Sequence, residues 1–131
     1  MTELEIWKNL FDKANEIVNP QDISEKIFVG SVGAAILTAS GTIYTGINVD
    51  TACSMGYCAE RNAIGTMLLN REHQIVKVVA VRRGEVTLPC GVCREFMMQL
   101  DRELSPEIEI LVNINPLKTL KLKELLPHYW D

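Results

Sequence analysis

Between Thr2 and Val18 the apolar side chains Leu4, Trp7, Leu10, Phe11, Ala14 and Val18 recur every three or four positions, the spacing of an amphipathic helix. Asn19-Pro20 ends it, because proline cannot continue the hydrogen-bond ladder. After a polar link the period changes. "VGAAILT" and "TIYTGINV" read as two strands joined at Ala39-Ser40-Gly41, a hairpin turn whose glycine tolerates positive φ. Helical spacing returns through "CAERNAIGTMLLN", with Ala59, Ala63, Met67 and Leu68 in step, and "QIVKVVAVRR" is a β-branched run suited to a buried strand. "GVCREFMMQLDREL" predicts another helix, "EIEILVNI" a strand, Asn115-Pro116 a turn and "LKTLKL" a short last strand. Helices interleaved with strands imply an α/β layered architecture, and the opening hairpin makes its sheet of about five strands mixed. No repeat, low-complexity tract or linker interrupts the chain, so residues 1–131 are expected to form one domain.

Composition adds exclusions. Apolar residues make up 47% and charged residues 23% of the chain, the balance of an ordinary globular protein. No run approaches the roughly 18 uninterrupted apolar residues of a transmembrane helix. "MTELEIWKNL" lacks the basic and apolar regions of a secretory signal, so a cytoplasmic location is expected. The net charge of −4, without any lysine or arginine run, disfavours nucleic acid as a partner, and no membrane association is expected. In a reducing compartment, four cysteines serve better as metal ligands or reactive thiols than as disulfide partners.

Three of those cysteines define a candidate zinc site. Pro89-Cys90-Gly91-Val92-Cys93 leads directly into a helical pattern, so both thiols belong at or near a helix N-terminus, three residues apart. The positive end of the helix dipole favours the thiolate, which is the form that binds metal. Cys58 holds the matching point of the earlier helix. Three protein ligands on a tetrahedral ion leave a fourth position for water, which separates a catalytic zinc site from a closed structural one. Glu60, beside that position, is the candidate general base and then general acid. Zinc with three thiolates carries a net negative charge, which a nearby cation would relieve. Arg61 is the candidate for that contact, and Arg94 is read as a solvated helix-face charge.

The zinc nucleobase deaminases carry H-x-E followed by P-C-x-x-C, with three cysteines as a variant, and Cys58-Ala59-Glu60 with Pro89 to Cys93 fits that variant. From "VGAAILT" to "ELLPHYW" the chain resembles the small cytidine deaminases and the related blasticidin S deaminases, with "GINVD", "CAER", "PCGVCREF" and "ELLP" in family order. The resemblance implies a three-layer α/β/α cytidine deaminase-like fold and hydrolytic release of ammonia from a free aminopyrimidine nucleoside. Cytidine and 2′-deoxycytidine lead, a modified cytidine or blasticidin S is the alternative, and salvage and detoxification both stay open. It further implies that the Ala59 N–H holds the ring carbonyl and that the Leu88 carbonyl accepts from the leaving amine. By strand spacing Asn48 and Asp50 share a face, where they are expected to meet a ribose diol. In the family a C-terminal aromatic enters the neighbouring subunit's site; Trp130 occupies that place, so a homotetramer with composite sites is expected. The bland alternative is that Tyr129 and Trp130 cover the sheet edge.

Some positions depart from the pattern. Gly30 stands where the nucleoside enzymes have phenylalanine, and Asp50 is one methylene shorter than the family glutamate. The rival functions use the same cysteines differently. Cys53 would complete a closed four-sulfur structural site, Cys90 and Cys93 alone would make a redox dithiol, and the fold without turnover would be a binding module. His73 and His128 are read as surface residues, and Met97-Met98 as core.

Overall fold

The computed structural model describes residues 1–131. Helix α1 spans Glu3–Glu16, strand β1 Gln21–Asp22, β2 Ile27–Thr38, β3 Ile43–Thr51, α2 Ala59–Leu69, β4 Ile75–Arg82, β5 Glu85–Thr87, α3 Gly91–Leu100, β6 Glu109–Ile114, β7 Leu117–Lys121 and α4 Leu122–Leu125. All seven strands form one sheet, where the sequence pattern predicts about five. The frame is β3-β2-β4-β6-β7, and the two additional strands are short. β1 continues the β2 edge that β4 occupies, and β5 continues the β4 edge that β6 occupies. Only the β4–β6 pair is parallel, so the sheet is mixed as expected. No helix is long and apolar enough to cross a membrane.

The two sheet faces bury different helices. Alternation along β4 sends Val79 and Val81 to one side, where they meet Ala35, Leu111 and the α1 residues Trp7, Leu10 and Ala14. Val78 points the other way and packs with Ile36, Ile110, Ala63, Ile64, Met67, Cys93, Met97 and Met98. The result is three layers. Helix α1 is set by Thr2, whose hydroxyl accepts the Glu5 N–H at 3.1 Å, with Glu3 and Glu5 at the positive end of the helix and Lys13 at the other. Lys77 is the polar exception on this face. Its ammonium, buried over the Trp7 ring, pairs with Glu3 at 3.1 Å and Glu109 at 3.0 Å.

Helix α2 is stitched to the outer edge of β3, and this places the site. Tyr57 and Val49 exchange backbone hydrogen bonds of 2.9 Å each, and the Ile47 N–H donates to Asn62 Oδ1 at 3.0 Å. These bonds close an otherwise open sheet edge. Gly46 lets the helix lie directly on the strand, since a Cβ there would stand 2.4 Å from the Ala63 nitrogen and 2.6 Å from the Ala59 carbonyl oxygen. We therefore expect Gly46→Ala to displace α2 and cost about 1–3 kcal/mol in denaturant unfolding, as overpacking of a tight contact does. An unchanged unfolding midpoint would show that the strand and helix can separate freely.

Candidate active site

Cys58 is the N-cap of α2 and Cys90 the N-cap of α3, with Cys93 in the first turn of α3. The tight seating of α2 brings these two helix starts together. The Cys58 and Cys90 sulfurs are 3.3 Å apart, and all three sulfurs lie within 4.8 Å of one another. A zinc–sulfur bond of about 2.3 Å places tetrahedral sulfurs roughly 3.8 Å apart, so the spacing and the soft donor set both fit zinc. All four cysteines are free thiols. Cys53 is exposed and stands outside this group, which removes the side chain that a closed four-sulfur site would need.

The electrostatics of the cluster follow from burial and crowding. Burial pushes the Cys93 thiol far above its usual range, and the negative charges of Glu60 and Cys58 add to the effect. Burial also raises Cys58, helped by Cys90 and opposed by Arg61. Burial raises Cys90 too, but hydrogen bonds from the Cys93 and Val92 N–H groups and from the neighbouring thiols outweigh it and leave Cys90 below its usual value. Arg61 lies 4.0 Å from the Cys58 sulfur through Nη2, while its Nε is buried without a partner. Desolvation works against the Arg61 charge, and its contacts with Cys58 and Cys93 more than restore it. Glu60 is 3% exposed, and this burial lifts its carboxyl above the ordinary range despite its own backbone N–H and Arg61.

A pocket of about 370 Å³ opens over the cluster. Asn48, Asp50, Cys58, Ala59, Glu60, Arg61, Leu88 and Cys90 line it together with Val32, Gly56, Tyr57 and Thr87. Cys93 lies beneath, fully buried. Asn48 does more than face the cavity. The β2–β3 register shifts between Val29 and Gly33, and in that gap Asn48 Oδ1 accepts the Val32 N–H at 2.8 Å. Its Nδ2 donates to Asp50 Oδ1 at 3.1 Å. Gly30, within the bulge, has φ +84°, and a Cβ there would meet the Asn19 carbonyl oxygen at 2.4 Å.

Trp130 is not in this pocket. It is 73% exposed and donates from Nε1 to Glu95 Oε1 at 2.9 Å, while the Tyr129 hydroxyl also donates to Glu95. Both aromatics therefore sit on α3 rather than on a sheet edge. Val32, Gly56, Tyr57 and Thr87 also line the pocket, beyond the residues that the sequence motifs pick out. Gly56 and Tyr57, just before the candidate ligand Cys58, were open to inference; Val32 and Thr87 join the site only through sheet pairing. Arg94 also differs from expectation, since its guanidinium bonds to two backbone carbonyls rather than lying solvated. His73 and His128 are exposed, and Met97 and Met98 are core.

Residues 9–104 match the model of the cytidine and deoxycytidylate deaminase zinc-binding region. Blasticidin-S deaminase of Bacillus cereus is 31% identical over 107 residues, 73% of this chain and 74% of that protein. Cytidine deaminase of Sporosarcina psychrophila is 42% identical over 71 residues, 52% of this chain, and the match spans only about half, 52%, of that relative's length. The crystal structure of cytidine deaminase from Mycobacterium leprae superimposes with a TM-score of 0.75 at 25% identity, covering 93% of this chain and 98% of that one. The chain belongs to the cytidine and deoxycytidylate deaminase zinc-binding family.

Metal analysis discriminates among the cysteines. We expect one tightly held zinc per chain in the wild type and in Cys53→Ser, and its loss in Cys93→Ser. Retention of zinc by Cys93→Ser would remove that sulfur from the ligand set.

Proposed function

We propose that the protein is a zinc-dependent hydrolase that converts cytidine or 2′-deoxycytidine, with one water, to the uridine counterpart and ammonia. The observation that carries this is a buried carboxyl group, Glu60, in the same pocket as the Cys58 and Cys90 sulfurs, in a chain of a zinc-binding deaminase family. Cys58, Cys90 and Cys93 would hold the zinc, which when bound would supply Lewis acidity toward water near neutral pH. Glu60, buried in the pocket, is placed to accept a proton from the attacking water and to return it to the substrate nitrogen, first as base and then as acid. The Ala59 N–H is an unpaired donor of the first turn of α2 and holds the ring carbonyl. The Leu88 carbonyl orients the amine, and Arg61 offsets the charge of the sulfurs. At the far end of the pocket Asn48 and Asp50 receive the sugar, with the Asn48 oxygen already engaged by Val32.

A second reading, deamination of a modified cytidine or a blasticidin S-like nucleoside, draws on the relative from Bacillus cereus, on the absence of a phenylalanine ring at Gly30 and on the shorter side chain of Asp50 in the pocket wall. We further propose one domain over residues 1–131, a cytoplasmic location that keeps the thiols reduced, and a homotetramer with composite sites. Support for assembly comes from Val92, 58% exposed, and Phe96, 39% exposed, which line a groove of about 510 Å³ on α3, and from the exposed Trp130.

Glu60→Gln is expected to keep zinc and lower turnover of cytidine by about 100- to 10,000-fold. A mutant deaminating at the wild-type rate would refute the role of Glu60. A panel of cytidine, deoxycytidine, blasticidin S, cytosine and N4-substituted cytidines, followed by ultraviolet loss and ammonia release, separates the substrate readings. Truncation after Pro127 is expected to reduce turnover in a protein that still assembles; undiminished turnover in the same assembly would take Trp130 out of the site.

A further inference from the structure

Arg94 stands at the fourth position of α3 and turns back over the loop that precedes the helix. Its Nε donates to the Pro89 carbonyl at 2.8 Å, and its backbone N–H donates to the Cys90 carbonyl at 3.0 Å. Two successive carbonyls of the ligand loop are thus held by one residue. The next carbonyl back, that of Leu88, accepts no hydrogen bond from the turns, caps or loops of the chain, although Leu88 lines the pocket. On its other side Arg94 donates from Nη1 to the Leu125 carbonyl at 3.4 Å. Leu125 ends α4, and a carbonyl at a helix C-terminus lacks an intrahelical donor. One planar guanidinium therefore joins the metal-ligand loop to the segment that leads into Tyr129 and Trp130.

We infer that Arg94 is a positioning residue: it braces the Leu88–Pro89–Cys90 loop between α3 and α4, so that the Cys90 sulfur and the Leu88 carbonyl keep their places in the pocket. The inference rests on the roles proposed above for Cys90 and Leu88. The side chain does not line the pocket and makes its hydrogen bonds to carbonyls rather than to a sulfur. Its chemistry suits the task, because guanidinium donors diverge at fixed angles and reach two carbonyls at once, whereas a lysine ammonium is a single flexible point donor. Groups that orient metal ligands in this indirect way typically change metal affinity by 10- to 100-fold when removed.

The test compares Arg94→Gln and Arg94→Lys with the wild type in three measurements: zinc affinity by competition with a chromophoric chelator, thermal unfolding of the zinc-free protein, and kcat and KM for cytidine. Arg94→Gln is expected to weaken zinc binding by about 10- to 100-fold while the zinc-free unfolding temperature shifts little, and to lower kcat more than it raises KM. Arg94→Lys, able to reach Pro89 alone, should recover part of the zinc affinity. If the glutamine variant does not fold, the lysine variant against wild type carries the same comparison. Wild-type zinc affinity in both variants, or a loss confined to zinc-free unfolding, would overturn the inference. A wild type inactive on every nucleoside but showing the zinc difference would defeat the proposed function and leave the role of Arg94 standing.

Discussion

Two helix N-termini meet at one point, and the rest of the molecule is arranged so that they cannot move apart. Helix α2 is fixed by its backbone contact on Gly46, by Asn62 and by the Tyr57–Val49 pair; α3 is fixed by burial of Cys93, Met97 and Met98 in the core. The residues at the two N-caps have the extended backbone that a cap requires, φ −77° and ψ 160° at Cys58 and φ −68° and ψ 169° at Cys90. Neither offers a side-chain oxygen, so each helix forgoes about 1 kcal/mol that serine or aspartate would contribute there. That loss is intelligible if the sulfurs are needed for metal. Structural zinc sites return on the order of 10 kcal/mol on binding, far more than two missing caps.

Without a cation the cluster is internally opposed. Burial raises two of the three thiols, and neighbouring negative groups add to it, Cys90 beside Cys58 and the buried Glu60 with Cys58 beside Cys93. Arg61 is the only cation lining the pocket and touches the sulfurs only at 4.0 Å. A divalent ion would reverse the sign of each of these interactions, favouring the thiolates that burial disfavours. Coupling between folding, thiol deprotonation and metal binding follows from this arrangement.

The long periodic elements were legible in the sequence because their burial repeats: α1, β3 and β4 fall within about two residues of their expected limits, whereas β2 ends as expected but begins at Ile27, five residues before the "VGAAILT" run, across the bulge that breaks its period. The candidate zinc ligands were legible for a different reason, their fixed spacing. Strands β1 and β5 were not, since two and three residues carry no period and exist only by pairing with β2 and β4. Helix α3 stops at Leu100 although apolar spacing continues to Leu104. Asp101 adopts φ −157°, and its carboxylate accepts the Glu103 and Leu104 N–H groups, a local alternative to the helical ladder. Long-range side-chain contacts were equally hidden. Nothing in the spacing of Asn48 to Val32, or of Arg94 to Leu125, announces that they touch.

The substrate end of the pocket shows how backbone shape can take over from a side chain. Phenylalanine at position 30 is incompatible with the path seen here, because the left-handed φ of Gly30 and the Asn19 carbonyl leave no space for any Cβ. In the bulge made possible by that glycine, Asn48 accepts the Val32 N–H. Having given its oxygen to the wall, Asn48 offers mainly its amide N–H groups, one of them already directed at Asp50. Hydrogen-bond acceptance at this end therefore rests with Asp50, which is exposed and shorter than glutamate. If a sugar binds here as proposed, its hydroxyl must reach that short carboxylate, and a change at position 30 would act on the pocket through Asn48 even though position 30 is not among the pocket-lining residues.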